Sequence, residues 1–424
     1  LMLKPHPLDS CVILPVSYKR GFEYYVNWGD GSKVDTLVVN TPKHKYADAS
    51  RMYPVQVSGT IASVGKCSNK RHEADLYEVI QWGNLSVASI SFEYQTNLVR
   101  IAVPKGDALK NITSCNGMFK KCTSLKEVPI GFMDALPSTI TNFNYAFNDC
   151  ASLEYLDPDI FRNFTKDGVV IWQIFNGCKS LKRLPKLDYF KMKNDANMLN
   201  QIFANCESLV EIPEHLFNET AKSATRAIRL GSTFMNCKSL KTIPESFWEN
   251  LPMDKITEIV SAFKGCESLT SESLGFLNKL TKVYKWQNAF EGCTSLTTLP
   301  ECEIDGKTVS VPIYKRDSEE YKAYFANRSY SSTNYCFKGC VNLEGYYDKI
   351  PQTWGGAWDG TTEAPTITVD AQYPEGQGYY SIDFIVKGKG VASAYYYLSA
   401  KTLVDQALPK YNNSYTELCE KKGI

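Results

Sequence analysis

The sequence is poor in histidine, in net charge and in long apolar runs. It has 4 histidines in 424 residues, and none stands in a C-x-x-C or H-x-x-x-H setting of the kind that binds zinc. Its 47 basic and 46 acidic side chains give a formal net charge of +1, which creates no field to attract nucleic acid or an anionic membrane. No apolar run approaches the roughly 18 residues that a membrane-spanning helix needs. We therefore expect no bound metal, no nucleic-acid partner and no transmembrane segment.

Catalytic signatures are also missing. The chain lacks G-x-S-x-G, the phosphate-binding G-x-x-x-x-G-K-[ST], H-E-x-x-H and G-x-G-x-x-G. Acidic pairs such as Glu211 with Glu214, or Asp157 with Asp159, are interpreted as parts of a charged solvent face, because a glycosidase needs two carboxylates across a cleft. We expect no catalytic residues, no cofactor and no enzymatic activity, and a hydrolase is the least favoured function.

What the sequence does contain is an internal repeat with the unit F-x-x-C-x-S-L-x-x-I-P. Eight cysteines recur at spacings of 28, 28, 28, 31, 29, 27 and 47, each with Phe three residues before it and Leu three after. A ninth, degenerate copy lies upstream, where Gln95 replaces the cysteine. The complete triplets are Phe119, Cys122, Leu125; Phe147, Cys150, Leu153; Phe175, Cys178, Leu181; Phe203, Cys206, Leu209; Phe234, Cys237, Leu240; Phe263, Cys266, Leu269; Phe290, Cys293, Leu296; Phe337, Cys340, Leu343.

Apolar positions three apart, closed by proline, fit neither an alternating strand nor a long helix. A unit of about 28 residues cannot bury its own Phe, Cys and Leu, so neighbouring units are expected to stack around one continuous core. Segments such as "PEHLFNET" (213–220) and "PESFWENL" (244–251) predict short outer helices or single turns, and "ITEIVSAF" (256–263) predicts a short strand. The expected result is an α/β solenoid.

The repeated cysteine allows three interpretations. Equivalent side chains in a stack point in parallel, about 4.8 Å apart, which is longer than the roughly 3.8 Å between Cβ atoms that a disulfide prefers. Metal binding needs ligands that converge on one point. A buried thiol that fills a tight bend as a small hydrophobe requires neither condition, and it is the favoured interpretation.

The segments "AFKGCESL" and "IFANCESLVEIP" resemble the BspA-like leucine-rich repeats of bacterial surface proteins over about residues 85–352. Two departures are visible: the sixth unit lacks its proline, and an insertion at 301–335 precedes the eighth unit. Insertions in repeat proteins map to loops, and loops carry contacts. Tyr314, Tyr321 and Tyr324 in this insertion are therefore candidate partner contacts.

Residues before the repeats alternate in polarity. The strings "WGDGS", "HKYA" and "YPVQVSG" resemble the polycystic kidney disease (PKD) type of immunoglobulin-like β-sandwich. Asp30 is either a turn-capping residue or a calcium ligand, and the turn is favoured because no D-x-D-x-D-G spacing accompanies it. Cys11 and Cys67 lie near the two ends of this segment, and their spacing does not decide whether they pair.

Past the repeats, strands such as "PTITVDA" and "YYSIDFIVKG" predict a β-rich module that loosely resembles an immunoglobulin or fibronectin domain, complete or partial. The predicted organisation is thus a PKD-like β-sandwich (1–66), a BspA-like leucine-rich-repeat α/β solenoid of about nine repeats (67–352), and a linker with a C-terminal β-rich module (353–424).

This organisation predicts a secreted or surface-anchored bacterial interaction protein, since the resemblance implies adhesion to a host protein or cell surface through the repeats. The partner class is a host or bacterial surface protein, or a glycan. For glycan binding the candidate stacking residues are Tyr346, Tyr347, Trp354 and Trp358. The alternative for these four rings is a hydrophobic cap on the last repeat. Rings packed on that repeat would favour the cap, and coplanar exposed rings would favour glycan binding.

Overall fold

The computed structural model describes residues 1–67, 69–72, 74–83, 87–193, 197–217, 227–280, 282–299, 302–304, 307–309, 313–315, 318, 334–358, 366–372 and 381–387. The chain forms two compact units. The first comprises Leu1–Glu344 with Thr353–Gly355, and the second comprises Gly345–Gln352 with Gly356–Ile424.

Short strands make up most of the regular structure. The strands are β1 (Met2–Leu3), β2 (Cys11–Ile13), β3 (Val16–Tyr18), β4 (Tyr24–Asn27), β5 (Asp35–Leu37), β6 (Lys43–Lys45), β7 (Tyr53–Pro54), β8 (Gln56–Gly59), β9 (Ile61–Val64), β10 (Leu76–Val79), β11 (Ser89–Ile90), β12 (Arg100–Ile101), β13 (Asp167–Val169), β14 (Lys191–Met192), β15 (Ile228–Arg229), β16 (Ile256–Glu258), β17 (Cys302–Ile304), β18 (Lys307–Val309), β19 (Thr366–Gln372) and β20 (Ser381–Lys387). Among the described residues the only α-helix is α1 (Glu245–Glu249). The 3-10 helices span Lys70–His72, Met133–Ala135, Met253–Lys255, Ser271–Lys279, Ile313–Lys315 and Gln352–Trp354.

The amino-terminal strands form four small sheets, with strand orders β12-β10-β1-β7, β11-β9-β3, β5-β4-β8 and β2-β6. Polarity alternates along β4, where Tyr24 and Val26 are buried while Tyr25 and Asn27 are exposed. The first sheet joins β1 to β10 in antiparallel pairing and β10 to β12 in parallel pairing. Strands from both sides of residue 66 therefore share one sheet, and the predicted domain boundaries stay a prediction.

The G-D-G turn is held by an aromatic cluster. His44 stacks on Trp28 with ring centroids 4.5 Å apart, and the Tyr46 hydroxyl donates to the Trp28 carbonyl at 2.9 Å. Asp30 accepts from the backbone N–H of Ser32 at 3.0 Å and lies 2.8 Å from His44 Nε2. Partial desolvation opposes ionisation of Asp30, but the Ser32 and His44 hydrogen bonds lower its pKa to about 2. Asp30 therefore caps the turn in this structure.

Phenylalanine rings of consecutive repeats stack on one another. From Phe92 through Phe337, neighbouring ring centroids are 5.2–6.3 Å apart and the ring planes differ by at most 23°. From Phe119 onward, each Phe N–H donates to a carbonyl of the following repeat at 2.8–3.1 Å. The insertion does not interrupt this order, because Phe290 still stacks on Phe337 at 5.7 Å.

Each repeat cysteine is a buried thiol that contacts the preceding repeat. Its Sγ lies 3.0–3.2 Å from the carbonyl oxygen of the preceding phenylalanine in all eight repeats. Where Gln95 replaces cysteine, its Nε2 donates to the Gly65 carbonyl at 2.9 Å, so the longer amide makes the equivalent contact. We call this set of contacts the thiol ladder.

Two residues in every repeat adopt the left-handed conformation. The residue before each repeat cysteine has φ of 57–80°, and the residue two before each phenylalanine has φ of 46–62°. Only glycine adopts this conformation without steric cost, and asparagine and aspartate tolerate it best among the others. Gly, Asn or Asp precedes seven of the eight cysteines, and Lys121 is the exception. These corners turn the chain twice within a few residues.

The predicted α/β leucine-rich-repeat solenoid is wrong. The described residues show mostly strands in several small sheets with few helices, and they form neither a closed barrel nor a solenoid. Prolines and left-handed corners keep the α-helical part short, so "PESFWENL" gives only the five-residue α1. The longest helical segment among the described residues is a 3-10 helix, Ser271–Lys279. Between repeats, strand pairing is reduced to two short pairs, β13-β14 and β15-β16, and to isolated bridges.

The flanking parts of the predicted architecture are corrected as well. The amino-terminal strands are divided among four small sheets instead of the two facing sheets of a sandwich. Of the C-terminal module, the structure describes one antiparallel pair, in which Thr366 of β19 is opposite Lys387 of β20. The rest of that module lies outside the described residues.

The thiol ladder predicts that the repeat cysteines are unreactive in the folded protein. Burial raises the pKa of Cys206, Cys266 and Cys340 to about 12, and the reactive species of a thiol is the thiolate. We expect peptide mapping by mass spectrometry to find all eight unlabelled after brief iodoacetamide treatment at pH 8, and all eight labelled in denaturant. Rapid labelling of most of them in the native protein would contradict the buried ladder.

Candidate binding surface

Trp354, one of the four predicted stacking residues, is part of the core. It is 2% exposed, and its ring centroid lies 6.3 Å from that of Phe337 and 6.2 Å from that of Trp286. The Phe337 N–H donates to the Trp354 carbonyl at 2.8 Å, which continues the hydrogen-bond pattern of the repeats by one step. Trp354 therefore closes the last repeat, as the cap interpretation expects.

The other three residues belong to the second unit. Tyr347 is 55% exposed, whereas Tyr346 and Trp358 are half-buried. The rings of Tyr346 and Tyr347 are 5.0 Å apart but nearly perpendicular, with an interplanar angle of 82°. This pair does not provide the coplanar platform on which a sugar ring stacks.

The insertion tyrosines are only partly described. Tyr314 is buried at 9% exposure, which removes it from the accessible surface of the chain. Tyr321 and Tyr324 lie outside the described residues.

A different aromatic surface lies on the first repeats, and we call it the aromatic–lysine cluster. Its members are Tyr94, Lys120, Lys121, Tyr145 and Trp172. Lys120 Nζ lies between two rings, 5.7 Å from the centroid of Tyr94 and 5.3 Å from that of Tyr145. Lys121 Nζ lies 5.0 Å from the Tyr94 centroid. Each contact is within the range of cation–π attraction.

The left-handed corners place these aromatic side chains at the surface. Tyr94 precedes Gln95 with φ 69°, and Tyr145 has φ 58°. Trp172 is 39% exposed; its backbone N–H donates to Asn144 Oδ1 at 2.7 Å and its carbonyl accepts from the Tyr145 N–H at 2.9 Å. The Tyr145 and Trp172 rings are 5.1 Å apart at 57°. Trp172 is thus held by its backbone while much of its ring faces solvent.

Positive charge exceeds negative charge in this region. Glu93 accepts an ion pair from Lys120 at 2.9 Å and a longer one from Lys66 at 3.9 Å. The hydrogen bond to Glu93 raises the pKa of Lys120 against a smaller opposing effect of desolvation. Lys121 makes no ion pair within the described part of the chain. Two of the three lysines thus pair with Glu93, and Lys121 does not.

Beside the cluster runs a row of half-buried and buried amides, which we call the amide row. It comprises Asn148, Gln173, Asn176, Gln201, Asn205 and Asn236. Asn236 Nδ2 donates to Asn205 Oδ1 at 2.8 Å, and Asn205 Nδ2 donates to Asn176 Oδ1 at 3.1 Å. These side chains form hydrogen bonds with one another from repeat to repeat. The row is therefore uncharged and held in a defined arrangement.

Ion pairs between repeats neutralise other parts of the surface. Four basic side chains each face one acidic side chain of the following repeat, at 2.7–3.8 Å. The pairs are Lys179–Glu207, Arg183–Glu211, Lys238–Glu267 and Lys264–Glu291. Exposed pairs of this kind contribute little stability individually.

The amino-terminal region contains a buried group of titratable residues. His72 Nδ1 lies 2.7 Å from Asp75 Oδ2, its Nε2 lies 3.4 Å from Asp9 Oδ2, and Asp9 also pairs with Lys43 at 3.0 Å. Burial raises the pKa of Asp75 to about 6, against the opposing effect of its hydrogen bonds. Because the His72 side chain is 1% exposed, no substrate reaches it. Within the described ranges, no three His, Cys, Asp or Glu side chains are placed to hold a metal ion.

Sequence reasoning missed the aromatic–lysine cluster because it treated the positions between the repeat residues as variable. The available signal was an aromatic residue at three corner positions, Tyr94, Tyr145 and Tyr335, where most other repeats carry Gly, Asn, Gln or Ser. The first two of these belong to the cluster.

The chain matches no known family, no curated protein and no solved structure. The resemblance to BspA-like repeats and to PKD domains therefore stays a prediction. In the part of the chain that the structure describes, no helix has the length and apolar character to cross a membrane.

The position of Trp354 predicts a stability effect. Trp354→Ala removes a fully packed ring from the last repeat, and we expect it to lower the free energy of unfolding by about 3–5 kcal/mol in urea titrations. Tyr347→Ala, on an exposed ring, is the matched control and should change it by less than about 0.5 kcal/mol. Equal effects of the two variants would show that Trp354 does not close the repeats.

Proposed function

We propose that this chain is a non-catalytic binding protein that holds a protein partner through the aromatic–lysine cluster, and that it acts outside the cell. The observation that carries the proposal is the grouping of Tyr145, Trp172 and Tyr94 around two lysines on an ordered surface. Tyrosine and tryptophan are enriched among the residues that dominate protein–protein binding energy. The extracellular location rests on the resemblance of the repeat motif to bacterial surface proteins.

Rigidity supports this proposal. Tyr145 and Trp172 belong to adjacent repeats whose backbones are joined by hydrogen bonds, above stacked Phe147 and Phe175 rings. Binding therefore requires little ordering of this surface, which reduces the entropic cost of association. A polar and ordered amide row next to the rings offers further hydrogen-bonding groups.

Glycan binding is the alternative function, and the geometry supports it less. A sugar stacks on an open aromatic face, whereas the Lys120 ammonium is positioned over the rings of both Tyr94 and Tyr145. Trp172 is the one cluster ring with no lysine placed over it among the described contacts. A single available ring is a weaker basis for sugar binding than a group of aligned rings.

The proposal predicts which variant loses binding on an array that displays matrix proteins, plasma proteins and glycans. A Tyr145→Ala, Trp172→Ala double variant should lose at least about tenfold in affinity for the bound proteins, since hot-spot rings contribute 2 kcal/mol or more. Tyr155→Ala is the control, because Tyr155 is 50% exposed on the same repeat as Tyr145 but lies outside the cluster.

Unchanged protein binding by the double variant would contradict the proposal. Selective loss of glycan binding, with no protein bound by the parent chain, would favour the alternative function.

A further inference from the structure

We propose that the aromatic–lysine cluster recognises an acidic segment of its protein partner, in which a carboxylate pairs with Lys121 beside an apolar side chain packed on Trp172. This inference rests on the proposed function and adds the chemistry of the partner. It depends on how the charges of the cluster are distributed, on the orientation of the nearest acidic side chain, and on the exposure of Trp172.

The first step concerns which lysine is available. Lys120 is occupied, since it pairs with Glu93 at 2.9 Å and lies against two tyrosine rings. Lys121 instead contacts the ring of Tyr94 and makes no ion pair in the described structure. Lys121 is a half-buried residue, and a carboxylate interacts more strongly with a partly desolvated lysine than with a fully solvated one.

The second step concerns the nearest equivalent carboxylate. Asp149 occupies the corner position of the following repeat that Lys121 occupies in its own. Asp149 Oδ1 lies where a Cβ on Gly177 would be placed, so this carboxylate is directed toward the next repeat. Asp149 therefore does not neutralise Lys121 through an ion pair, and the positive charge is available to a ligand.

The third step concerns the apolar neighbour. Trp172 is 39% exposed and contacts Tyr145, whose ring also faces Lys120. The cluster thus presents an available ammonium at Lys121 and an exposed indole at Trp172. Contacts through Tyr94, Lys120 and Tyr145 connect the two. A ligand that satisfies both has a carboxylate close to an apolar or aromatic side chain, as an acidic protein segment does.

The test uses two fluorescent synthetic peptides of equal length, one alternating aspartate with phenylalanine and the other alternating asparagine with phenylalanine. Fluorescence anisotropy against the full chain gives the Kd of each at low and at moderate salt. We expect the aspartate peptide to bind at least about fivefold more tightly, and its advantage to shrink as salt screens the charges.

Matched variants connect the effect to Lys121. Lys121→Gln should abolish the difference in affinity, about fivefold, between the aspartate and asparagine peptides. Lys121→Arg retains the charge and should preserve this difference. Lys126→Gln is the control, because Lys126 is an exposed lysine of the same repeat that lies outside the cluster. Circular dichroism verifies that all variants are folded.

Equal affinity for the two peptides would contradict recognition of an acidic segment. So would a Lys121→Gln variant whose affinity for the aspartate peptide equals that of the parent chain. If the array binding still depended on Tyr145 and Trp172, the proposed function would stand while this inference failed. Binding of carboxylated oligosaccharides in place of the aspartate peptide would also overturn it.

Discussion

The contact between a cysteine thiol and the phenylalanine carbonyl of the preceding repeat is the interaction on which the rest of the repeats depends. Each such carbonyl from Phe119 to Phe290 accepts the backbone N–H of its own cysteine at 3.0–3.3 Å and the thiol of the next repeat at 3.0–3.2 Å. A thiol is small enough for the bend and still supplies a weak donor, which a methyl group lacks. This dual requirement explains why cysteine recurs at this position of each repeat.

The ladder also determines where the chain can vary. Because the Phe, Cys and Leu side chains point inward, the left-handed corner residues and their neighbours lie at the surface. Core packing therefore does not restrict which side chains they carry. Most repeats use these positions for small residues or for mutually bonded amides such as Asn205 and Asn236. In the first repeats, Tyr94, Lys121 and Tyr145 occupy these positions. Their larger side chains form the binding surface that we propose.

The sequence predicted the recurring core positions well, because burial imposes the same residue type at Phe, Cys and Leu in each unit. The packing role of the cysteine was accessible for the same reason. The turn-capping role of Asp30 was accessible from the local G-D-G turn chemistry. The length of the helices could not be predicted from the sequence. A short apolar stretch such as "PESFWENL" shows the same spacing of apolar residues whether it forms one helical turn or several. The cluster was missed because it depends on backbone φ values at single residues. The cap interpretation anticipated the buried position of Trp354, but the sequence pattern alone left glycan stacking open for the same ring.

In the thiol ladder, each repeat thiol donates a hydrogen bond to a backbone carbonyl. The S–H stretching band in the infrared or Raman spectrum tests it most directly, because few other protein vibrations absorb in that region. We expect a dominant component at the low frequency of hydrogen-bonded thiols. It should be protected from deuterium exchange in the folded chain and reduced in intensity by Cys206→Ala. A band dominated by thiols without hydrogen bonds, or one that exchanges at once, would contradict it.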